Sequence, residues 1–224
     1  SLERADPRLK RMLTEQPEEE LYGYVDIWMP ALHRYDHEKA SARQAKGEKV
    51  WWYICTGPKT PYPNNFIDHP AIEPRIWFWM TWQNDVTGCH IWRVNYWTNS
   101  LAFPGSEVQN PYEDPMSYMS GYGREEGYVG HWGNGDGRSI YPPNRHPNTD
   151  DRTYIRGPVN SIRWELIREG IEDYEYFYML EDLAEGLEGK GTAPELVKKA
   201  RSLLDIPPRI IRDLTHYTRD PQKL

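Results

Sequence analysis

Cys89-His-Ile-Trp-Arg-Val-Asn-Tyr-Trp97 reads as one β-strand, and its two faces decide what kind of sheet the chain builds. Gly88 breaks the chain before it, and the run is rich in aromatic and β-branched residues. Side chains alternate along a strand. Ile91, Arg93, Asn95 and Trp97 therefore share one face, and His90, Trp92, Val94 and Tyr96 the other. A strand buried on both faces has no reason to carry Arg, Asn and Trp on one side, unless that side looks into a polar, ligand-binding lumen. In parallel α/β barrels the C-terminal strand ends carry the site. The other reading is a structural Arg and Asn satisfied by neighbouring backbone, and this stretch alone leaves both open.

Upstream of it, three more strands are expected. Asp6-Pro7 breaks the chain before a short strand at 8–14, and residues 1–5 resemble the tail of a helix that begins further upstream. One helical turn at 18–21 leads to a strand at 22–29, stopped by Pro30. Residues 34–46 read as an exposed helix closed by Gly47. The strand at 49–56 is almost wholly apolar or aromatic, as a strand buried on both faces should be. Pro58, Pro61 and Pro63 stiffen the loop after it. The spacing of Ile76, Trp79, Met80 and Gln83 predicts a helix over 70–83, with Pro74 in its first turn. Strand, helix, strand, helix, strand is the signature of a parallel sheet. Four strands are half of an eight-stranded barrel, for which a whole chain needs ~250 residues.

After Trp97 the pattern stops. Residues 98–160 are rich in Gly, Pro, Tyr and Asn without a sustained period, yet Tyr112, Tyr118, Tyr122, Tyr128 and Trp132 argue against disorder. Gly133-Asn-Gly-Asp-Gly137 is a sharp turn into a short strand at 138–141, stopped by Pro142 and Pro143. The segment is expected to fold as a hairpin or excursion over the barrel mouth. Ser161 caps a helix running to about residue 184, with Ile167, Ile171, Tyr174 and Tyr178 as its apolar stripe. Two shorter helices are expected at 194–204 and 208–217. The expected organisation is one domain over 1–224: βα units to residue 97, a mouth segment over 98–160 and a helical C-terminus.

Composition narrows the function. A net charge of −7 argues against a nucleic-acid footprint, no apolar run is long enough to span a membrane, and no signal peptide opens the chain. Cys55 and Cys89 lie in expected strands and read as buried free thiols. Ten Trp and sixteen Tyr stand against four Phe. Flat apolar faces with polar edges suit stacking on sugar rings, and the plainer alternative is a Trp-filled core. No cofactor or metal is called for: the seven His are scattered, and His33 and His37 sit on a polar helix. The Gly133–Gly137 turn follows no strong strand and opens no helix, so it is not a phosphate loop, and no Gly-x-Ser-x-Gly elbow is present. Among the acids, Asp26 lies within a strand on the face of Trp28, where it either serves chemistry or pairs with Arg93.

Several motifs together resemble the catalytic domain of glycoside hydrolase family 123. They are Tyr24-Val-Asp-Ile-Trp-Met-Pro30, Glu48-Lys-Val-Trp-Trp-Tyr53, Pro61-Tyr-Pro-Asn64, Asn95-Tyr-Trp97, Gly133-Asn-Gly-Asp-Gly137 with Tyr141-Pro142, and Ser161-Ile-Arg163 through Gly170-Ile-Glu-Asp-Tyr-Glu-Tyr176. The resemblance implies a (β/α)8 TIM-type barrel, preceded by a β-sandwich domain, with exo-β-N-acetylgalactosaminidase activity. It also implies a retaining mechanism in which the substrate's own acetamido oxygen attacks the anomeric carbon, an Asp orients that group and the neighbouring Glu transfers protons. This sequence contains no Asp followed directly by Glu. The order of matched motifs puts 8–14 at the fifth barrel strand, so the pair is expected upstream of residue 1 and no catalytic residue is assigned here. Carried over position by position, Trp28 and Trp97 are expected as walls of the sugar pocket. Asn64 and Asn95 are expected to hydrogen-bond hydroxyl or acetamide groups, Asp136 to accept from a sugar hydroxyl, and Tyr141 to lie at the mouth. Arg163 and Asp173 read as structural, and the peptide after Trp97 is expected to be cis. The expected partners are a carbohydrate and, because half a barrel would leave edges open at 8–14 and 89–97, either an upstream half-barrel or a second copy. A non-catalytic carbohydrate-binding domain is the alternative.

Overall fold

Strands β1 (Met12–Leu13), β2 (Ile27–Trp28), β3 (Lys49–Val50), β4 (Trp52–Ile54) and β5 (Cys89–Ile91) run parallel, in chain order. Helix α1 (His37–Gln44) connects β2 to β3, and α2 (Glu73–Gln83) connects β4 to β5. This computed structural model describes residues 6, 8–97, 109–119, 130–146, 150, 152–153 and 157–224. The expected helix tail at 1–5, the aromatics Tyr122 and Tyr128 and the peptide after Trp97 lie outside the described residues.

The chain through β3 and β4 is central because its backbone serves two neighbours. The N–H groups of Lys49, Trp51 and Tyr53 donate to the carbonyls of Asp26, Trp28 and Pro30, whereas Trp52 donates to Gly88. Both of its edges are thereby paired, as in an interior strand. The outer strands are shorter than their composition suggests. Gly23, at φ +83°, turns the chain ahead of β2, so the chain meets the neighbouring strands only from Asp26 on, whose N–H donates to Arg11 and whose carbonyl accepts from Lys49. The expected strand at 89–97 ends at Ile91. Beyond it, residues 94–96 pair antiparallel with 137–140: Tyr96 N–H donates to Gly137, and Ser139 and Ile140 donate to Val94. The edge expected to be open along 89–97 is therefore partly covered by the mouth segment.

That segment contains a hairpin of β6 (Met116–Met119) and β7 (Gly130–Asn134), followed by β8 (Ile140–Tyr141) paired with β9 (Val159–Asn160). Helix α3 (Ile162–Gly189) starts where expected, with Ser161 Oγ accepting from Trp164 N–H at 3.2 Å. Its inward face keeps two of the four expected residues, Ile167 and Tyr174. Ile171 and Tyr178 are 45% and 58% exposed, and the face turned inward carries Arg163, Ile167, Gly170, Tyr174 and Phe177. Gly170 explains the shift: a Cβ there would stand 2.5 Å from Phe78 Cδ2 and 3.1 Å from the Arg75 backbone, so α3 reaches α2 only through a glycine. The crossing is locked by Asp173, which accepts from Arg75 at 2.6 and 2.9 Å and from Trp79 Nε1 at 2.7 Å.

Helix α4 (Pro194–Leu204) matches its expected span, but 208–217 is not a helix. It is a hairpin of β10 (Ile211–Asp213) and β11 (His216–Tyr217), because Asp213 Oδ1 accepts from the backbone of both Thr215 and His216 and closes a turn. The core lies between the sheet and the helices: Val50, Trp52 and Ile54 pack with Ile76, Trp77, Met80 and Ile167 and with Ile206, Ile210 and Ile211. The architecture is mixed α/β. The expected Asp26–Arg93 pair does not form. Asp26 accepts from Arg11 instead, through the backbone at 2.7 Å and Nε at 2.9 Å, and those bonds hold its carboxyl below the usual range. Cys55 and Cys89 are free thiols, half-buried rather than buried.

Candidate functional site

A cavity of about 610 Å³ opens at the C-terminal ends of the parallel strands. Thr14 follows β1, Tyr53 and Cys55 come from the end of β4, and His90 and Trp92 from the end of β5. Lys59 enters from the proline-rich loop, and His131 and Trp132 from β7. Strand parity selects the first group. Trp52 and Ile54 point into the helix-side core, so Tyr53 and Cys55 face the other way. The pairing of Tyr53 with His90 in register puts His90 on the same side, their rings 6.4 Å apart. Trp92 and Trp132 meet edge to face, 5.6 Å apart at 89°.

The face of the opening strand that looks into the cavity is thus the opposite of the one its polarity suggests. His90 and Trp92 line it, Ile91 packs on the core, and Arg93 is exposed with its guanidinium 5.2 Å from the Tyr96 ring and 5.6 Å from that of Trp92. Breaking the strand after Ile91 removes the alternation on which the expectation rests.

Trp92 is anchored from behind. Its Nε1 donates to Asp136 Oδ1 at 3.0 Å, and Asp136 Oδ2 is buried with no hydrogen-bond partner among the described residues. Burial pushes the Asp136 carboxyl up, against the opposing pull of the Trp92 hydrogen bond and the Lys59 charge. The glycines beside it are there for space. A Cβ on Gly133 would lie 2.4 Å from the Phe66 ring, on Gly135 2.7 Å from the Arg163 guanidinium and on Gly137 2.8 Å from the Trp92 ring. Gly135 and Gly137 also have φ near +78° and +70°. The Lys59 ammonium donates to the Trp132 carbonyl and lies 3.5 Å from the Phe66 ring centre; loss of solvation lowers its pKa. Burial likewise pushes the Tyr53 phenol up.

None of the six residues expected to touch sugar lines this cavity. Trp28 is fully buried, its Nε1 donating to Glu48 Oε2 at 2.6 Å, and has no face for a ligand. Asn64 is buried too: Nδ2 donates to the Cys55 and Pro58 carbonyls, Oδ1 accepts from Asn65 N–H, and the residue shapes the loop that delivers Lys59. Asn95 bridges to Arg138 on the exposed side. Trp97 donates to the Ile140 carbonyl at 2.8 Å, and Tyr141 stacks at 5.1 Å on Tyr112. Asn95, Trp97, Asp136 and Tyr141 thus gather along one seam, behind or beside the cavity, and Trp28 stands apart from them. Tyr53, Lys59, His90 and His131 escaped the reading of the sequence. The only available signal was parity, with Tyr53 and Cys55 the more polar set within 49–56.

A model of the family described as glycoside hydrolase 123, catalytic domain, matches residues 5–180. Among solved structures, a family 123 glycoside hydrolase from Clostridium perfringens, reported with the details of its glycolipid glycan hydrolysis, is similar in fold. Its TM-score is 0.56 at 22% identity, over 88% of this chain. This chain spans 28% of that one. A search of curated protein sequences returned no match. With the family model covering well over half of its residues, the chain belongs to the glycoside hydrolase 123 catalytic-domain family.

Proposed function

We propose that these residues form the second half of a (β/α)8 barrel in a glycoside hydrolase and supply one wall of its sugar-binding cleft. The wall is Tyr53, His90, Trp92 and Trp132, with Asp136 positioning Trp92. The observation that carries the reading is the meeting of these rings in one cavity at the C-terminal ends of parallel strands, where barrel enzymes bind their substrates. Flat faces with N–H and O–H edges suit a pyranose. Family resemblance points to a terminal β-linked N-acetylgalactosamine and a mechanism assisted by the substrate's acetamido group. The proton-transferring Asp-Glu pair lies outside these 224 residues, for no Asp is followed directly by Glu in the sequence and no carboxylate is among the described residues that line the cavity. That lining also favours a second reading, a carbohydrate-binding domain without chemistry of its own.

Titration calorimetry with N-acetylgalactosamine tests the site. Trp132→Ala is expected to weaken binding about tenfold, by loss of a stacking face. Absence of binding to the parent chain would remove the sugar-site reading. Hydrolysis of an aryl β-N-acetylgalactosaminide by these residues alone, lost in Asp136→Asn, would place the acid here instead. The same hydrolysis by the whole protein, absent when the upstream half is omitted, separates the enzyme from the carbohydrate-binding domain.

Among the described residues the outer edge of β1 pairs with no strand, and Leu9 and Met12 beside it are exposed. An open parallel edge invites pairing. We expect it to be closed by an upstream half-barrel or a second copy. For the 224 residues alone, light scattering should then report a mass above that of one chain; a stable monomer across micromolar concentrations would contradict this.

A further inference from the structure

Resting on the sugar-site reading above, we infer that the carbohydrate taken by this cavity carries an anionic substituent, a sulfate or a carboxylate, and that Lys59 receives it with the imidazoles of His90 and His131 alongside. Among the described residues the lining carries one ammonium, that of Lys59, with two imidazoles beside it and no carboxylate. This stands out in a chain whose net charge is −7. An ammonium that lines a cavity with no carboxylate beside it among the described residues is matched by a ligand that brings the negative charge itself.

Lys59 is the centre of this arrangement. Its ammonium is held by the Trp132 carbonyl on one side and the Phe66 ring on another. An ammonium has three N–H donors, so these two contacts leave capacity for a ligand oxygen. Among the described residues it forms no ion pair: Asp136 and Asp68 act on it only at a distance. Asp136 turns its Oδ1 to the indole N–H of Trp92 and does not line the cavity, so Lys59 is the charged side chain that a ligand meets among the described lining residues. The same loop residue that carries the charge abuts Trp132, so an anionic group on Lys59 would put its sugar ring against the Trp92–Trp132 corner.

Calorimetry with four probes tests this: N-acetylgalactosamine, its 4-sulfate, its 6-sulfate, and glucuronic acid, with sodium sulfate as a control for a free anion. At least one anionic sugar is expected to bind about tenfold or more tightly than the neutral one, the size of a charge-assisted hydrogen bond, and to lose that advantage as salt is raised. A sulfated sugar ahead of glucuronic acid identifies sulfate as the group, and the reverse order a carboxylate. Lys59→Gln should erase the preference and Lys59→Arg keep it, with circular dichroism confirming that both fold. Equal binding of neutral and anionic sugars overturns the anion inference and leaves the sugar site standing. Binding of sodium sulfate as tight as that of the sulfated sugar overturns it in favour of a bare anion site. No binding of any sugar overturns both.

Discussion

Arg163→Met is expected to destabilise the chain by about 4 kcal/mol, because it strands several buried carbonyls at once. Arg163 sits in the first turn of α3 and is nearly inaccessible. Its Nη1 donates to the carbonyls of Asn65 at 2.6 Å and Gly135 at 2.9 Å, and its Nη2 to that of Arg138 at 2.6 Å. Each carbonyl left without a donor costs about 1–3 kcal/mol, and a methionine of similar length fills the space without supplying one. The cost of keeping a cation there is visible in the opposite direction: burial lowers the guanidinium pKa, and the Tyr141 hydroxyl offsets part of that. The effect should extend to the cavity. Arg163 fastens the Gly133–Gly137 turn, the turn presents Asp136, and Asp136 orients Trp92, so sugar binding should weaken together with stability. Urea unfolding followed by fluorescence measures the first and calorimetry the second. A loss below about 1 kcal/mol would mean that the three carbonyls find other donors.

Glu73→Ala should cost about 3 kcal/mol and release the C-terminal hairpin. Glu73 is completely buried at the start of α2. Its Oε2 accepts from Asn64 N–H at 2.9 Å and lies 2.6 Å from His69 Nδ1, and its Oε1 accepts from the Tyr217 hydroxyl at 2.8 Å. Removing the carboxylate orphans three donors, two from the loop before α2 and one from the C-terminal hairpin. Burial, reinforced by the neighbouring carboxylate, raises the Tyr217 pKa, so that hydroxyl stays a donor throughout the working range. Tyr217→Phe removes one of the three bonds and should cost about 1 kcal/mol, which separates the hairpin's share from that of the loop. Limited proteolysis should cut near 211–217 faster in both variants, and fastest in Glu73→Ala. Unchanged proteolysis together with unchanged thermal unfolding would show that the network is dispensable.

A motif residue can be required by the fold rather than by a ligand. Asn64 and Trp28 stand in motifs that resemble the family's, but their polar atoms are consumed internally, by the Cys55 and Pro58 carbonyls and by Glu48. A motif records that a residue type is needed and leaves open whether substrate or backbone needs it. Glu73 presents the reverse case. An acid in the first turn of a helix reads as a solvated group favoured by the helix dipole, and only the arrival of Tyr217 from 144 residues away makes it a buried junction.

What the sequence determined by itself is local and periodic. The order of strands and helices as far as β5 follows from alternating periods, the start of α3 from the Ser161 cap, and the position of α2 from Pro74 and the spacing of Ile76, Trp79, Met80 and Gln83. The likeness of its motifs to family 123 was legible as well, because it lies in residue types and their order. Tertiary structure decided which side of each strand faces the cavity. Period-2 alternation divides Cys89–Ile91 and Trp52–Ile54 into two faces without ranking them, and where both faces are covered hydrophobicity is silent. Packing of Trp52, Ile54 and Ile91 against the helical layer makes the choice and turns Tyr53, His90 and Trp92 toward the open side. The glycine-mediated contact of α3 with α2 and the Asp213 turn in place of a last helix were settled in the same way, by partners that no window of neighbouring residues contains.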